Sequence, residues 1–222
     1  MSEIEYSKVK CVVLDAFGTI AALSSPQRPY SILREMLAVR GAVVDDFPVR
    51  AMTTPSSMAS LASYYGVEIP MEQMSRLDEA LFKDLSGMRL AAGMAGAIAR
   101  LMDNGIRVVI GSNLGLPYGV LLERMLGAQG LLLEEMTSTT RFARAFSYEV
   151  GEIKPSPSFY EKIELGMALS PDSFLMLGDR PEEDRAAPLA RGWQAEWAFN
   201  RVDASPEVWD ELVAHLLPQS LT

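Results

Sequence analysis

Along the chain, short apolar runs alternate with stretches in which apolar residues recur every three or four positions. Val9-Lys10-Cys11-Val12-Val13-Leu14, Ile106-Arg107-Val108-Val109-Ile110-Gly111 and Phe174-Leu175-Met176-Leu177-Gly178 are nearly continuous in apolar residues, as strands buried on both faces are. Strands are expected at roughly 9–15, 106–111, 144–149, 173–178 and 193–198. Ala91–Gly105 reads as a helix closed by a glycine cap, and Pro157–Leu169 as another. Strands alternating with helices predict an α/β fold: a Rossmann-like parallel sheet with helices on both faces.

Residues 24–88 break that rhythm. They hold no convincing strand, and Met74, Leu77, Leu81 and Leu85 fall at i, i+3, i+7 and i+11, a helical stripe. Thr53-Thr54-Pro55-Ser56-Ser57 is a polar turn and a helix start. The expected organisation is a core built from 1–23 and 89–222, with an all-helical insertion of two to four helices at 24–88. The stretch 128–143 stays open, because Leu131-Leu132-Leu133 fits a buried strand or helix equally well.

Composition narrows the function classes. With 222 residues, 49% apolar and 22% charged, the chain can bury a real core. No apolar run approaches the ~18 residues of a membrane span. The N-terminus lacks the basic-then-apolar plan of a secretory signal, so a cytoplasmic location and no membrane partner are expected. The single cysteine, Cys11, lies inside the first apolar run and reads as an inert core thiol. His215 is the only histidine, which leaves no imidazole zinc site and no ordinary Ser-His-Asp triad. A net charge of −9 argues against nucleic acid, whose binding needs clustered cations. The 13 methionines would line either a core or a sticky surface of the insertion, so a homodimer is allowed and not specified.

The chemistry gathers at strand ends. Asp15 closes the first apolar run, Ser112 follows the second, Lys154 sits in Gly151-Glu152-Ile153-Lys154-Pro155, and Asp179 with Asp184 follows Gly178. Reactive groups of open α/β sheets lie at such C-terminal strand ends, and these residues outline a phosphate-sized site.

Asp15-Ala16-Phe17-Gly18-Thr19, Ser112-Asn113, Lys154-Pro155 and Gly178-Asp179 with Asp184 resemble the four ordered motifs of the haloacid dehalogenase-like superfamily. That resemblance implies a Rossmann-like core with a helical cap where the insertion falls. It implies Asp15 as nucleophile, giving an aspartyl intermediate, with Ser112 and Lys154 holding charge in the transition state. Backbone amides of the turn through Gly18 and Thr19 would cradle phosphate oxygens, with Asn113 and Arg28 as further substrate contacts. Asp15, the backbone carbonyl of Phe17, Asp179 and Asp184 would ligate Mg²⁺; Asp184 alternatively orients the metal's water shell, or simply pairs with Arg185 or Arg180.

Phe17 departs from the phosphatase pattern, in which the matching position is a second aspartate serving as general acid. An aromatic residue there is similar to 2-haloacid dehalogenases, which work without metal, whereas Asp179 and Asp184 match the metal-dependent members. The expected function is therefore a Mg²⁺-dependent phosphohydrolase or phosphotransferase acting on a small phosphorylated metabolite. The alternatives are a metal-independent dehalogenase acting on a small acid, or a weakly active phosphometabolite-binding member.

Overall fold

Neighbouring side chains of a strand point to opposite faces, so a run that is apolar at every position must be covered on both sides. In the computed structural model, which describes residues 4–197 and 201–217, β1 (Cys11–Leu14) is buried throughout. Val12 and Leu14 face one hydrophobic cluster, Cys11 and Val13 another. Such a strand belongs at the centre of a sheet.

β2 (Ala21–Leu23) then leads into four helices, α1 (Pro29–Val39), α2 (Phe47–Thr53), α3 (Met58–Tyr64) and α4 (Met71–Ser86). β3 (Met88–Leu90) returns antiparallel to β2. There follow α5 (Met94–Asp103), β4 (Arg107–Ser112), α6 (Leu116–Ala128), β5 (Phe142–Phe146), α7 (Ser147–Val150) and α8 (Pro157–Met167). The remaining elements are β6 (Phe174–Gly178), α9 (Ala187–Ala190), β7 (Gln194–Trp197) and α10 (Glu207–Leu216). The main sheet has five strands in the order β5-β4-β1-β6-β7, all parallel.

One face of the sheet is covered by α5, α6 and α10 through Ile98, Leu101, Leu122, Leu126, Trp209 and Leu212. The other is covered by α8 through Phe159, Tyr160, Ile163 and Met167, with Trp193. The four helices between β2 and β3 close a separate small core of Leu33, Leu37, Phe47, Met58, Leu61 and Leu77. The α4 stripe divides its work. Met74 and Leu77 face this small core, Leu85 faces the main one, and Leu81 touches both. Ser57 caps α3 by accepting from Ser60 N at 3.1 Å, worth about 1 kcal/mol.

Three stretches differ from expectation or resolve it. The strand expected at 144–149 lies at Phe142–Phe146, and Ser147–Val150 is a helical turn ended by Gly151 at φ 75°. Ser147 mimics a strand position because its hydroxyl is buried, accepting from Leu114 N at 3.0 Å. Leu131 and Leu133 are buried while Leu132 is 73% exposed, and the run is neither helix nor strand, with only Glu134 bridging to Ala143. The short pair β2–β3, three residues each, was too brief to leave a periodic signal. Position 198 of the last expected strand lies outside the described residues, and no helix among those described is long and apolar enough to cross a membrane.

Candidate active site

The chain visits β1, β4 and β5 on one side of the sheet, then crosses back to β6 and β7 on the other side of β1. The carboxyl ends of β1, β4 and β6 therefore meet at a topological switch point, where open α/β sheets bind ligands. Asp15 extends from β1, its N–H donating to Leu177 O at 2.9 Å. Ser112 ends β4, and its hydroxyl helps to hold the Asp15 carboxyl down. Lys154 follows α7, and Asp179 and Asp184 follow β6.

Lys154 organises the centre. Its Nζ lies 2.7 Å from Asp15 Oδ1 and 2.5 Å from Asp184 Oδ1, and Lys154 and Asp184 are each 1% exposed. Burial pulls the Lys154 ammonium down, but the two carboxylates outweigh it and hold the group above its ordinary value. Burial pushes the Asp15 carboxyl up; Lys154 opposes that and Asp184 adds to it. Asp184 has Lys154, not Arg185, as its ion-pair partner, and its other oxygen accepts from Arg180 N at 2.9 Å. Asn113 fixes the lysine's backbone from both directions. Its Nδ2 donates to Lys154 O at 2.9 Å, and its Oδ1 accepts from Lys154 N at 2.8 Å.

Carboxylate oxygens of Asp15, Asp179 and Asp184 lie within 4.8 Å of one another. Burial raises the Asp179 carboxyl, and its Oδ1 is buried without a hydrogen-bond partner. A buried acceptor with nothing donating to it is costly, and a hard cation is one way to satisfy it. The charge count agrees: three carboxylates against one ammonium leave an excess of two negative charges when all are ionised, the charge a divalent ion neutralises. Two glycines make this crowding feasible. A Cβ on Gly18, itself at φ 88°, would overlap the Asp179 carboxylate, and one on Gly178 would overlap Asp184.

The turn after Asp15 corrects one expectation. Gly18 N donates to Ala21 O at 2.9 Å and Thr19 N to Ala16 O at 3.3 Å, so those amides are spent on the turn itself. The N–H groups of Ala16 and Phe17 have no backbone acceptor among the described residues. Thr19 is fully buried, its hydroxyl without a partner.

Beside this centre, between α1–α2 and the main sheet, is a cavity of about 320 Å³. Phe17, Tyr30, Phe47, Asn113 and Tyr118 line it, together with Arg34 and Arg180. Arg28 does not: it is exposed at the head of α1 and borders a different surface depression. Arg34, Arg180 and Tyr118 escaped sequence reasoning, since none belongs to a motif and only folding brings them together. The Phe17 ring meets Tyr118 edge-on at 5.8 Å, and the Tyr118 hydroxyl donates to buried Asp84 of α4 at 2.7 Å.

No family model and no curated protein matches the chain. Solved structures do match its fold. A predicted HAD-like family hydrolase from Porphyromonas gingivalis aligns over 92% of this chain and 98% of its own, at TM-score 0.61 and 17% identity. A HAD family enzyme from Bacteroides thetaiotaomicron, in complex with magnesium and inorganic phosphate, covers 85% and 93% at TM-score 0.57 and 13% identity. A HAD family hydrolase from Deinococcus radiodurans with bound phosphate and sodium covers 93% and 89% at TM-score 0.53 and 20% identity. The chain shares the fold of these haloacid dehalogenase-like structures.

Proposed function

We propose that the protein is a Mg²⁺-dependent phosphohydrolase or phosphotransferase that works through an aspartyl-phosphate at Asp15, with residues 24–88 as a cap over a core of 1–23 and 89–222. The observation that carries this is the Asp15–Lys154–Asp184 arrangement with Asp179 Oδ1 buried and unpaired beside it. The magnesium and phosphate of the Bacteroides enzyme are in keeping with it.

In this reading Asp15 presents a carboxylate oxygen to phosphorus, while Ser112 and the Lys154 ammonium hold oxygens whose charge shifts in the transition state. The N–H groups of Ala16 and Phe17 supply the backbone donors that the Gly18 and Thr19 amides do not. Asp15, Asp179 and the Phe17 carbonyl would hold Mg²⁺, which supplies charge neutralisation at the phosphoryl oxygens. Asp184, with each oxygen already bonded, would orient Lys154 and the metal's water shell. Asn113 positions Lys154 from behind, and the substrate is a small phosphorylated molecule.

Phe17 cannot protonate a leaving oxygen, so the site is suited to leaving groups that depart as anions. The test is hydrolysis of acetyl phosphate and para-nitrophenyl phosphate by wild type and Asp15→Asn, with Mg²⁺ and with EDTA. Mg²⁺-dependent turnover lost in Asp15→Asn is expected; no phosphate release under any condition refutes the proposal.

Phe17 also supports a second reading. Its ring lies on the cavity wall against Tyr118, as an aromatic group would in a halide-displacing site. Halide release from 2-haloacids that persists in EDTA would establish that reading in place of the first.

A further inference from the structure

The cavity walled by Phe17, Asn113 and Arg180, each one or two positions along the chain from Asp15, Ser112 and Asp179, has a composition that the reaction above does not require. Four aromatic rings, those of Phe17, Tyr30, Phe47 and Tyr118, form much of its wall. Phe17 and Tyr118 meet edge-to-face at 5.8 Å, and Tyr30 lies 6.2 Å from Tyr118 at a tilt of 47°. The Tyr118 hydroxyl is committed to Asp84, so that residue offers its ring rather than its polar tip. Such surfaces receive a flat apolar body by offset or edge contact. At about 320 Å³ the space is at the lower end for ligand pockets, enough for one ring and its substituents.

Two arginines, Arg34 from α1 and Arg180 from the turn after β6, line the same space. Among the described residues neither has an ion-pair partner. Both side chains are exposed, Arg34 also borders a second surface depression, and the Arg180 charge acts on Asp179 and Glu183; guanidinium groups at the rim of an aromatic cavity suit an oxyanion on the ligand. The lining holds no carboxylic acid and no imidazole. Burial pushes the Tyr30 phenol up to about 12, too weak an acid for that duty near neutral pH.

Resting on the reading of Asp15 as a phosphoryl acceptor, we propose that the substrate is a small aryl phosphate whose ring carries a second oxyanion, carboxylate or phosphate, gripped by Arg34 and Arg180. The Asp15 oxygen–phosphorus bond forms as the phosphorus–aryl oxygen bond breaks. The electron pair leaves on the aryl oxygen, which the ring stabilises and solvent protonates. Water then attacks phosphorus, restoring the Asp15 carboxylate and releasing inorganic phosphate. The ring supplies by delocalisation what Phe17 cannot supply by proton transfer.

The test compares 4-carboxyphenyl phosphate and 1,4-phenylene bisphosphate with the neutral, shape-matched 4-carbamoylphenyl phosphate, using wild type and Arg34→Gln in Mg²⁺. Wild type is expected to favour one of the anionic substrates at least tenfold in kcat/KM. Arg34→Gln should cut that preference about tenfold, the scale of one charge-assisted hydrogen bond; the favoured arm identifies the oxyanion. In EDTA, calorimetry should show 4-hydroxybenzoate or 4-hydroxyphenyl phosphate binding more tightly than 4-hydroxybenzamide, with the difference reduced in Arg34→Gln. Turnover of acetyl phosphate without any preference among the aryl phosphates, or a preference that survives in Arg34→Gln, overturns this assignment and leaves the proposed reaction standing. No turnover of any phosphate, acetyl phosphate included, removes both.

Discussion

Lys154 and Asp184 face each other at 2.5 Å with 1% of either residue exposed, and the same ammonium reaches Asp15 at 2.7 Å. One cation thus serves two buried carboxylates, with a third, Asp179, close by. Removing one member of such a group leaves buried like charges uncompensated. The consequence reaches past stability, because the side chain that pins the nucleophile also relieves repulsion within the cluster.

Lys154→Met is therefore expected to destabilise the metal-free protein by about 3–5 kcal/mol. Mg²⁺ should return part of that, about 2.7 kcal/mol at a hundredfold excess over its Kd. Urea unfolding in EDTA and in Mg²⁺ checks this. A variant as stable as wild type in EDTA would mean that the three acids are not held as charges.

Phe17→Asp is expected to raise kcat/KM on alkyl phosphates by about 10²-fold or more, since general acid–base help is typically worth ~10²–10⁴-fold. Acetyl phosphate, whose leaving group needs no proton, should gain far less. The substitution also removes the edge contact with Tyr118, so thermal stability should fall. Parallel steady-state kinetics on the two substrate types decides the matter, and equal gains on both would contradict a missing-acid explanation.

Much of this site is legible before folding because strand-end chemistry and strand-core hydrophobicity are written side by side. Asp15 follows an apolar run and Asp179 another, and parallel pairing of those runs with β1 central brings the acids together. The 142–150 boundary was misplaced because Ser147 is buried by a hydrogen bond rather than by apolarity. The clamp from Asn113 onto the Lys154 backbone spans 41 positions, and Arg34 and Arg180 come to line one cavity only through the fold. Neither relation has a period or a motif. The Gly18 and Thr19 amides were misjudged for a related reason, since sequence marks a tight turn without saying which of its N–H groups the turn consumes.

Gly18→Ala tests the crowding at the acidic cluster. Gly18 sits at φ 88°, and its added Cβ would overlap the Asp179 carboxylate. The left-handed backbone alone costs about 1–2 kcal/mol for a residue with a Cβ. Displacing Asp179 should also weaken Mg²⁺ affinity about tenfold or more. The check is the metal-induced rise in Tm, which should shrink in the variant; an undiminished rise would place the ion away from Asp179.

Cys11 gives a pH prediction independent of catalysis. It is fully buried, and burial pushes its thiol up to about 12, whereas an unfolded thiol titrates near 8.5. The folded pKa is raised, so this stability is fully present below about pH 8.5 and is lost as pH climbs towards the folded value. The loss should reach about 2 kcal/mol by pH 10, as 1.5 units at 1.36 kcal/mol each. Unfolding free energies at pH 8 and pH 10 for wild type and Cys11→Val should differ by that amount, and Ellman's reagent should label wild type at pH 8 only after denaturation.

Asp84 and Tyr118 join the helical insertion to the main sheet's covering layer. Asp84, 2% exposed on α4, accepts from the Tyr118 hydroxyl of α6 at 2.7 Å and from Gln27 N at 2.5 Å. Tyr118→Phe keeps the ring against Phe17 and deletes only the donor, leaving one buried carboxylate oxygen without its partner. The expected cost is about 1–3 kcal/mol. Because the bond spans the two layers that enclose the cavity, its loss should raise KM for a substrate bound there more than it lowers kcat. Urea unfolding together with kinetics on para-nitrophenyl phosphate measures both effects, and a variant that loses stability while KM stays fixed would show that this contact supports the fold without shaping the cavity.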